Sequence, residues 1–168
     1  MQPRIDYAKT APGVEKAMLG LEEYVHHTGL ERGLLELVRL RASLINGCAY
    51  CVDMHTKVAR SLGETEQRLY SVSVWRETPY YTERERAALA WTEAVTLVSV
   101  DRVPDEVCET ARQHFADEEL IDLTLAIVAI NGWNRLAIAF RTVPGTFQVG
   151  GQPPDRAAVP SSEIKTAR

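Results

Sequence analysis

Three cysteines in 168 residues are too few for a structural disulfide framework, and two of them, Cys48 and Cys51, lie only three positions apart. In a reducing compartment such a CxxC pair is more often catalytic or metal-binding. Excess positive charge is missing too: 19 Lys and Arg stand against 23 Asp and Glu, a formal net charge of -4 with a pI near 5.6. With neither half strongly basic, no nucleic-acid or anionic-membrane surface is expected, and partners should be small molecules or proteins. Met1 to Lys9 lacks the apolar core of a signal peptide, and no apolar run reaches the roughly 18 residues of a membrane span. A cytoplasmic location follows by default. No alternating run of β-branched residues points to a sheet, and no repeat of fixed period stands out.

What is present is helical periodicity in a chain with 45% hydrophobic residues, enough for one core. Residues 1–12 carry two prolines and read as an extended arm. Val14, Ala17, Met18, Leu21 and Val25 form one apolar stripe ending at Gly29. His26 and His27 are adjacent, so on a helix they point about 100° apart and suit a helix end better than a shared metal ion. A second helix, from about residue 30 to Ile45, is apolar on most sides and should be central. Glu36 lies within it and must find a partner or protonate, with Arg39 and Arg41 as nearby candidates. Further helices are expected from Cys48 to Gly63, Thr65 to Trp75, and Thr82 through Val98, the last opened by a Thr82–Glu85 capping box. Two more run from Val103 to His114 and from Leu120 to about Phe140, the most apolar of all. Residues 143–168, rich in proline and glycine, read as an extended tail, leaving one domain over residues 1–142. The fold class is all-α, with about seven helices.

Chemistry concentrates in Cys48-Ala49-Tyr50-Cys51-Val52-Asp53-Met54-His55. Asn46-Gly47 just upstream ends one helix and turns the backbone, so a new helix should begin near Cys48. The spacing puts both thiols and His55 on one side of that helix. Its first turn, with unpaired N–H groups and about half a positive charge, favours thiolate over thiol. His55 can take the Cys51 proton, and the thiolate can attack a peroxide oxygen to give a sulfenic acid. Cys48 then condenses with it, closing a very small, reducible disulfide loop. A structural zinc site is the rival use of these groups, but Cys48, Cys51 and His55 supply three ligands of the four needed; the fourth would be Glu36, a distant His or water.

The ordered run Glu36, Cys48, Cys51, His55 in an all-helical chain resembles the AhpD-like alkylhydroperoxidases of the carboxymuconolactone decarboxylase superfamily, the core match spanning roughly residues 30–100. The resemblance implies a dithiol peroxidase without bound metal or cofactor. Carried over, Glu36 and His55 form a proton relay and Cys51 is peroxidatic. Cys48 is then resolving and takes electrons from a dithiol reductant such as a lipoylated protein. One departure is Tyr50, where strongly active members often carry a second histidine. A phenol with a pKa of about 10 cannot exchange protons at neutral pH as imidazole does. Weak activity, or a substrate other than a simple peroxide, is the expectation. Members without a CxxC decarboxylate or isomerise small lactones, so cofactor-free acid–base chemistry by Glu36 and His55 is the alternative.

Asn131, Trp133, Asn134 and Arg135 interrupt the most apolar helix, and its amides and guanidinium need hydrogen-bond partners. A structural polar network is expected there, with Trp133 in the core and Cys108 an inert small hydrophobe. Two helices apolar nearly all round, Leu34 to Ile45 and Leu120 to Phe140, together with the tail, point to a homo-oligomer: a dimer, trimer or hexamer.

Overall fold

The computed structural model describes residues 2–150 and, within them, contains only helices and turns. Nine α-helices follow in order: α1 (Tyr7–Thr10), α2 (Pro12–His26), α3 (Arg32–Asn46), α4 (Ala49–Ser61), α5 (Glu66–Ser71), α6 (Glu83–Thr96), α7 (Val98–Asp101), α8 (Asp105–Arg112) and α9 (Asp117–Phe140). A 3₁₀ segment, Val72–Glu77, kinked at Val74, separates α5 from α6. The all-α class stands, with the expected long helices and two four-residue additions. One addition falls inside the arm expected to be extended. Asp6 caps it, accepting the Lys9 N–H at 3.3 Å, which lets Tyr7 to Thr10 coil into a single turn. The other, α7, follows a break at Leu97, where φ -99° and ψ 29° end α6 two residues after Val95.

Helix α3 is the axis. Its Leu34, Leu35 and Val38 enter a core shared with Val25, Ala88, Trp91, Leu123 and Ile127. Leu37 and Leu40 enter a second with Ala59, Leu69, Val72, Trp75 and Leu89. Ala42 joins a third around the cysteines. A helix used on three sides needs apolar residues at nearly every position, which explains the weak periodicity of its sequence. Truncating any of these leucines to alanine should cost about 2–5 kcal/mol.

Helix α9 is by length and composition apolar enough to cross a membrane, contrary to the sequence expectation, yet it packs on α2, α3, α4, α6 and α8 as a core helix does. Its start carries half a capping box: Glu119 reaches back to the Ala116 N–H at 2.9 Å, while alanine offers no reciprocal oxygen. At its far end Arg4 binds the carbonyls of Ala139 and Phe140, each at 2.9 Å. The expected tail begins by docking on its own chain: Gly145 N–H donates to Asp53 at 3.1 Å and Lys57 donates to the Phe147 carbonyl at 3.1 Å, both on α4. Positions 151–168 of that tail lie outside the described residues.

Candidate active site

The turn from α3 to α4 places the thiols. Gly47 adopts φ 70°, ψ 31°, a left-handed conformation that glycine reaches without cost. Its N–H bonds to Leu44 O at 3.3 Å and that of Cys48 to Ser43 O at 2.9 Å, the paired bonds of a Schellman ending. Cys48 thus closes α3 and, in an extended conformation, is also the N-cap of α4; its sulfur accepts the Cys51 N–H at 3.3 Å. Cys48 and Cys51 are joined as a disulfide, with Cα atoms 5.4 Å apart.

Both cysteines are 1% exposed and lie against Ala42, Ile130 and Ala137, with Tyr50 and Trp133 packed on the cluster. His55, one turn beyond Cys51 on α4, is also buried. Its Nδ1 lies 2.8 Å from Glu36 Oε2, while Nε2 is buried without a hydrogen-bond partner among the described residues. Glu36 Oε1 accepts from Arg39 Nη1 at 2.7 Å. Burial pushes the Glu36 carboxyl up, but the His55 hydrogen bond and the charges of His55 and Arg39 outweigh it, and the group is held below the ordinary glutamate value. An ionised Glu36 can only accept, so the His55 nitrogen facing it carries a proton, and in the neutral imidazole this leaves Nε2 as the accepting nitrogen. Of the two arginines that sequence offered as partners, Arg39 takes the role. Arg41 turns to α6 and pairs with Glu93 at 2.8 Å.

The asparagines of α9 form the expected structural network. Asn46 Nδ2 donates to Asn131 at 2.9 Å and to Asn134 at 2.8 Å, while Asn134 Nδ2 donates to Ser43 at 3.1 Å. Asn131 also donates to Thr96 at 3.1 Å. These bonds fix the last turn of α3, from which the cysteine-bearing turn departs. Arg135 folds back onto Asn131 and is exposed. Trp133 is partly buried beside the dithiol and its indole donates to Glu22 at 3.1 Å. Glu22 is a site neighbour that sequence reasoning missed; a partly exposed acid on a surface helix gives no signal of its own. His26 ends α2 and His27 is its C-cap, and Cys108 packs on the first core as a free thiol. The donor set for zinc does not assemble: the two sulfurs are bonded to each other, His55 Nδ1 serves Glu36, and no cluster of three or more candidate ligands able to hold a metal occurs among the described residues.

Residues 12–94 match the carboxymuconolactone decarboxylase family. The uncharacterized protein YdfG of Bacillus subtilis is 44% identical over 139 residues, which cover 83% of this chain and 95% of that one. A crystal structure from Agrobacterium tumefaciens, of a protein of unknown function suggested to be the antioxidant defence protein AhpD, superposes with a TM-score of 0.83 at 52% identity, covering 85% of this chain and 98% of that one. The debrominase Bmp8 shares the fold with a TM-score of 0.73 at 20% identity over 81% of this chain and 73% of its own. With the matched segment spanning Glu36, both cysteines and His55, and with near-complete coverage of close relatives, the chain belongs to the carboxymuconolactone decarboxylase superfamily and is AhpD-like.

Proposed function

We propose that the protein is a dithiol peroxidase that reduces peroxides at Cys51, with Cys48 as resolving thiol and Glu36 and His55 as proton relay. The observation that carries this reading is the buried Cys48–Cys51 disulfide one helical turn from a His55 whose Nδ1 is anchored by Glu36. His55 Nε2 takes the Cys51 proton; the thiolate attacks a peroxide ROOH, the O–O bond breaks, and Cys51 becomes a sulfenic acid. The departing alkoxide takes the proton from His55 and leaves as ROH. Cys48 sulfur then attacks the sulfenic sulfur, releasing water and leaving the disulfide. A dithiol donor, such as a lipoylated protein, returns two electrons and two protons, becoming a disulfide itself. The relay and the dithiol donor are carried over from the family resemblance, and the Glu36–His55 contact supports the relay.

A homo-oligomer belongs to the same proposal. Helix α3 is covered within one chain, but α9 leaves Ile121, Val128 and Ile138 exposed, and the segment before α8 leaves Leu97, Val98 and Val100 exposed. These apolar residues would be covered by a second copy.

The test begins with fully reduced protein, thiols counted before and after one equivalent of hydrogen peroxide or an organic hydroperoxide. Two thiols should disappear per chain, with Cys108 retained. Cys51→Ser should consume no peroxide, and Cys48→Ser should stall as a sulfenic acid that dimedone traps. Consumption by Cys51→Ser equal to that of wild type would end the peroxidatic assignment. Chemistry surviving loss of both cysteines would favour the acid–base alternative.

A further inference from the structure

We propose that Arg39 and Glu22 are positioning residues for the Glu36–His55 pair: one guanidinium bridges two carboxylates and thereby sets which way Glu36 faces and which His55 nitrogen is left to accept a proton. The inference rests on the proposed role of His55 as base for Cys51.

Arg39 lies three residues after Glu36 on α3, hence on the same face. Its two terminal nitrogens serve different acids. Nη1 donates to Glu36 Oε1 at 2.7 Å, and Nη2 to Glu22 Oε2, on α2, at 2.6 Å. The other Glu22 oxygen accepts the Trp133 indole N–H from α9 at 3.1 Å. Four hydrogen bonds therefore run in series from His55 on α4, through Glu36 and Arg39 on α3 and Glu22 on α2, to Trp133 on α9.

A carboxylate bound on one side only can rotate and offer either oxygen. Both Glu36 oxygens are committed, one to a guanidinium that is always a donor and never loses its proton. The remaining oxygen faces His55 Nδ1 and accepts from it. Charge points the same way: a buried Glu36 without Arg39 would have His55 alone to offset its burial, and its tendency to protonate would rise. Arg39 is itself held by Glu22, whose side chain is 26% exposed against 6% for Glu36, so the series leads from a buried base to a half-buried anchor on a surface helix. The charged groups facing Glu36 among the described residues are His55 from α4 and Arg39 from its own helix. Glu22 faces it from α2 only through Arg39, and α9 contributes the neutral indole.

The experiment reads Cys51 alkylation by iodoacetamide in fully reduced protein, followed by mass spectrometry of the Cys51 peptide across pH. No peroxide is involved, so the outcome is independent of whether a peroxide is the substrate. In Arg39→Met, alkylation at about pH 6 should slow by roughly tenfold or more, with the gap closing near pH 9 where solvent base deprotonates the thiol unaided. Arg39→Lys, which keeps charge and one contact, should recover part of the loss, and Glu22→Gln should shift the profile less in the same direction. A purely structural Arg39 would lower the melting temperature of these variants and leave the shape of the pH profile unchanged. Superimposable profiles for wild type and Arg39→Met would overturn the proposal; if Arg39→Met fails to fold, an unshifted Glu22→Gln profile does so.

Discussion

Replacing Glu36 by glutamine changes one atom for another of nearly the same size and should nevertheless disable the site. The wild-type carboxylate accepts from two donors, Arg39 Nη1 at 2.7 Å and His55 Nδ1 at 2.8 Å. Glutamine has one accepting oxygen and one donating NH₂. Arg39 cannot become an acceptor, so the amide oxygen turns to Arg39 and the NH₂ faces His55. The imidazole must then accept at Nδ1 and carry its proton at Nε2, the nitrogen that should receive the Cys51 proton. The base is present but in the wrong tautomer. General-base contributions of this kind amount to about 10²–10⁴ in rate, or roughly 3–5.5 kcal/mol of barrier. The assay is stopped-flow consumption of a hydroperoxide by reduced protein, with circular dichroism to establish that the helices persist. A folded Glu36→Gln within about threefold of wild type would refute the tautomer argument. So would an equal loss in Glu36→Gln and Glu36→Asp, since aspartate keeps two accepting oxygens.

Other outcomes follow from the same geometry. Asn134→Ala removes two hydrogen bonds of a fully buried amide and leaves Ser43 without its partner; it should cost about 2–4 kcal/mol in urea denaturation at unchanged m. Gly47→Ala puts a side chain at φ 70° with no steric obstacle around it, so a loss of about 1–2 kcal/mol, visible as a lower melting temperature, would come from backbone strain alone. Folded Glu36 releases its proton more readily than unfolded Glu36, so its contribution to stability is complete above about pH 4.5 and is lost as pH falls through the lower folded value; Glu36→Gln should show a shallower acid limb in stability-versus-pH measurements. Sedimentation equilibrium at micromolar concentration should find an assembly larger than the 18.8 kDa chain, and a single species at that mass would remove the oligomer proposal.

The long helices were legible because their caps are local. Thr82 and Glu85 signal the start of α6 within four residues, and Asn46-Gly47 signals the turn that places Cys48. The two four-residue helices were not, since Asp6 capping and the break at Leu97 are weak signals in sequences without amphipathic period. Sequence also put Cys48, Cys51 and His55 on one face, which the shared helix explains. Sequence offered Arg39 and Arg41 alike for Glu36, yet their spacing already separates them, because three residues return a helix to the same side and five do not. Glu36 itself was tied to His55 only through family resemblance. The α3 partners of Asn131 and Asn134 lie 85 to 91 residues away in the chain, and Glu22 and Trp133 are 111 residues apart. Polar residues inside an apolar helix announced that partners exist, and only the packing of α2 and α9 on α3 says which.

Helix α9 supplies the wall over the dithiol through Ile130, Trp133 and Ala137, and it is made last among the described helices. The gap between Cys51 and that wall is about eighty residues, which a ribosome adding about 5–20 residues per second needs roughly 4–16 s to synthesise. For that interval the wall over both thiols is missing, and Trp133, the outer anchor of Glu22, has yet to be made. The accessibility of Cys48 and Cys51 to a bulky alkylating reagent is accordingly a direct clock for the closing step of folding.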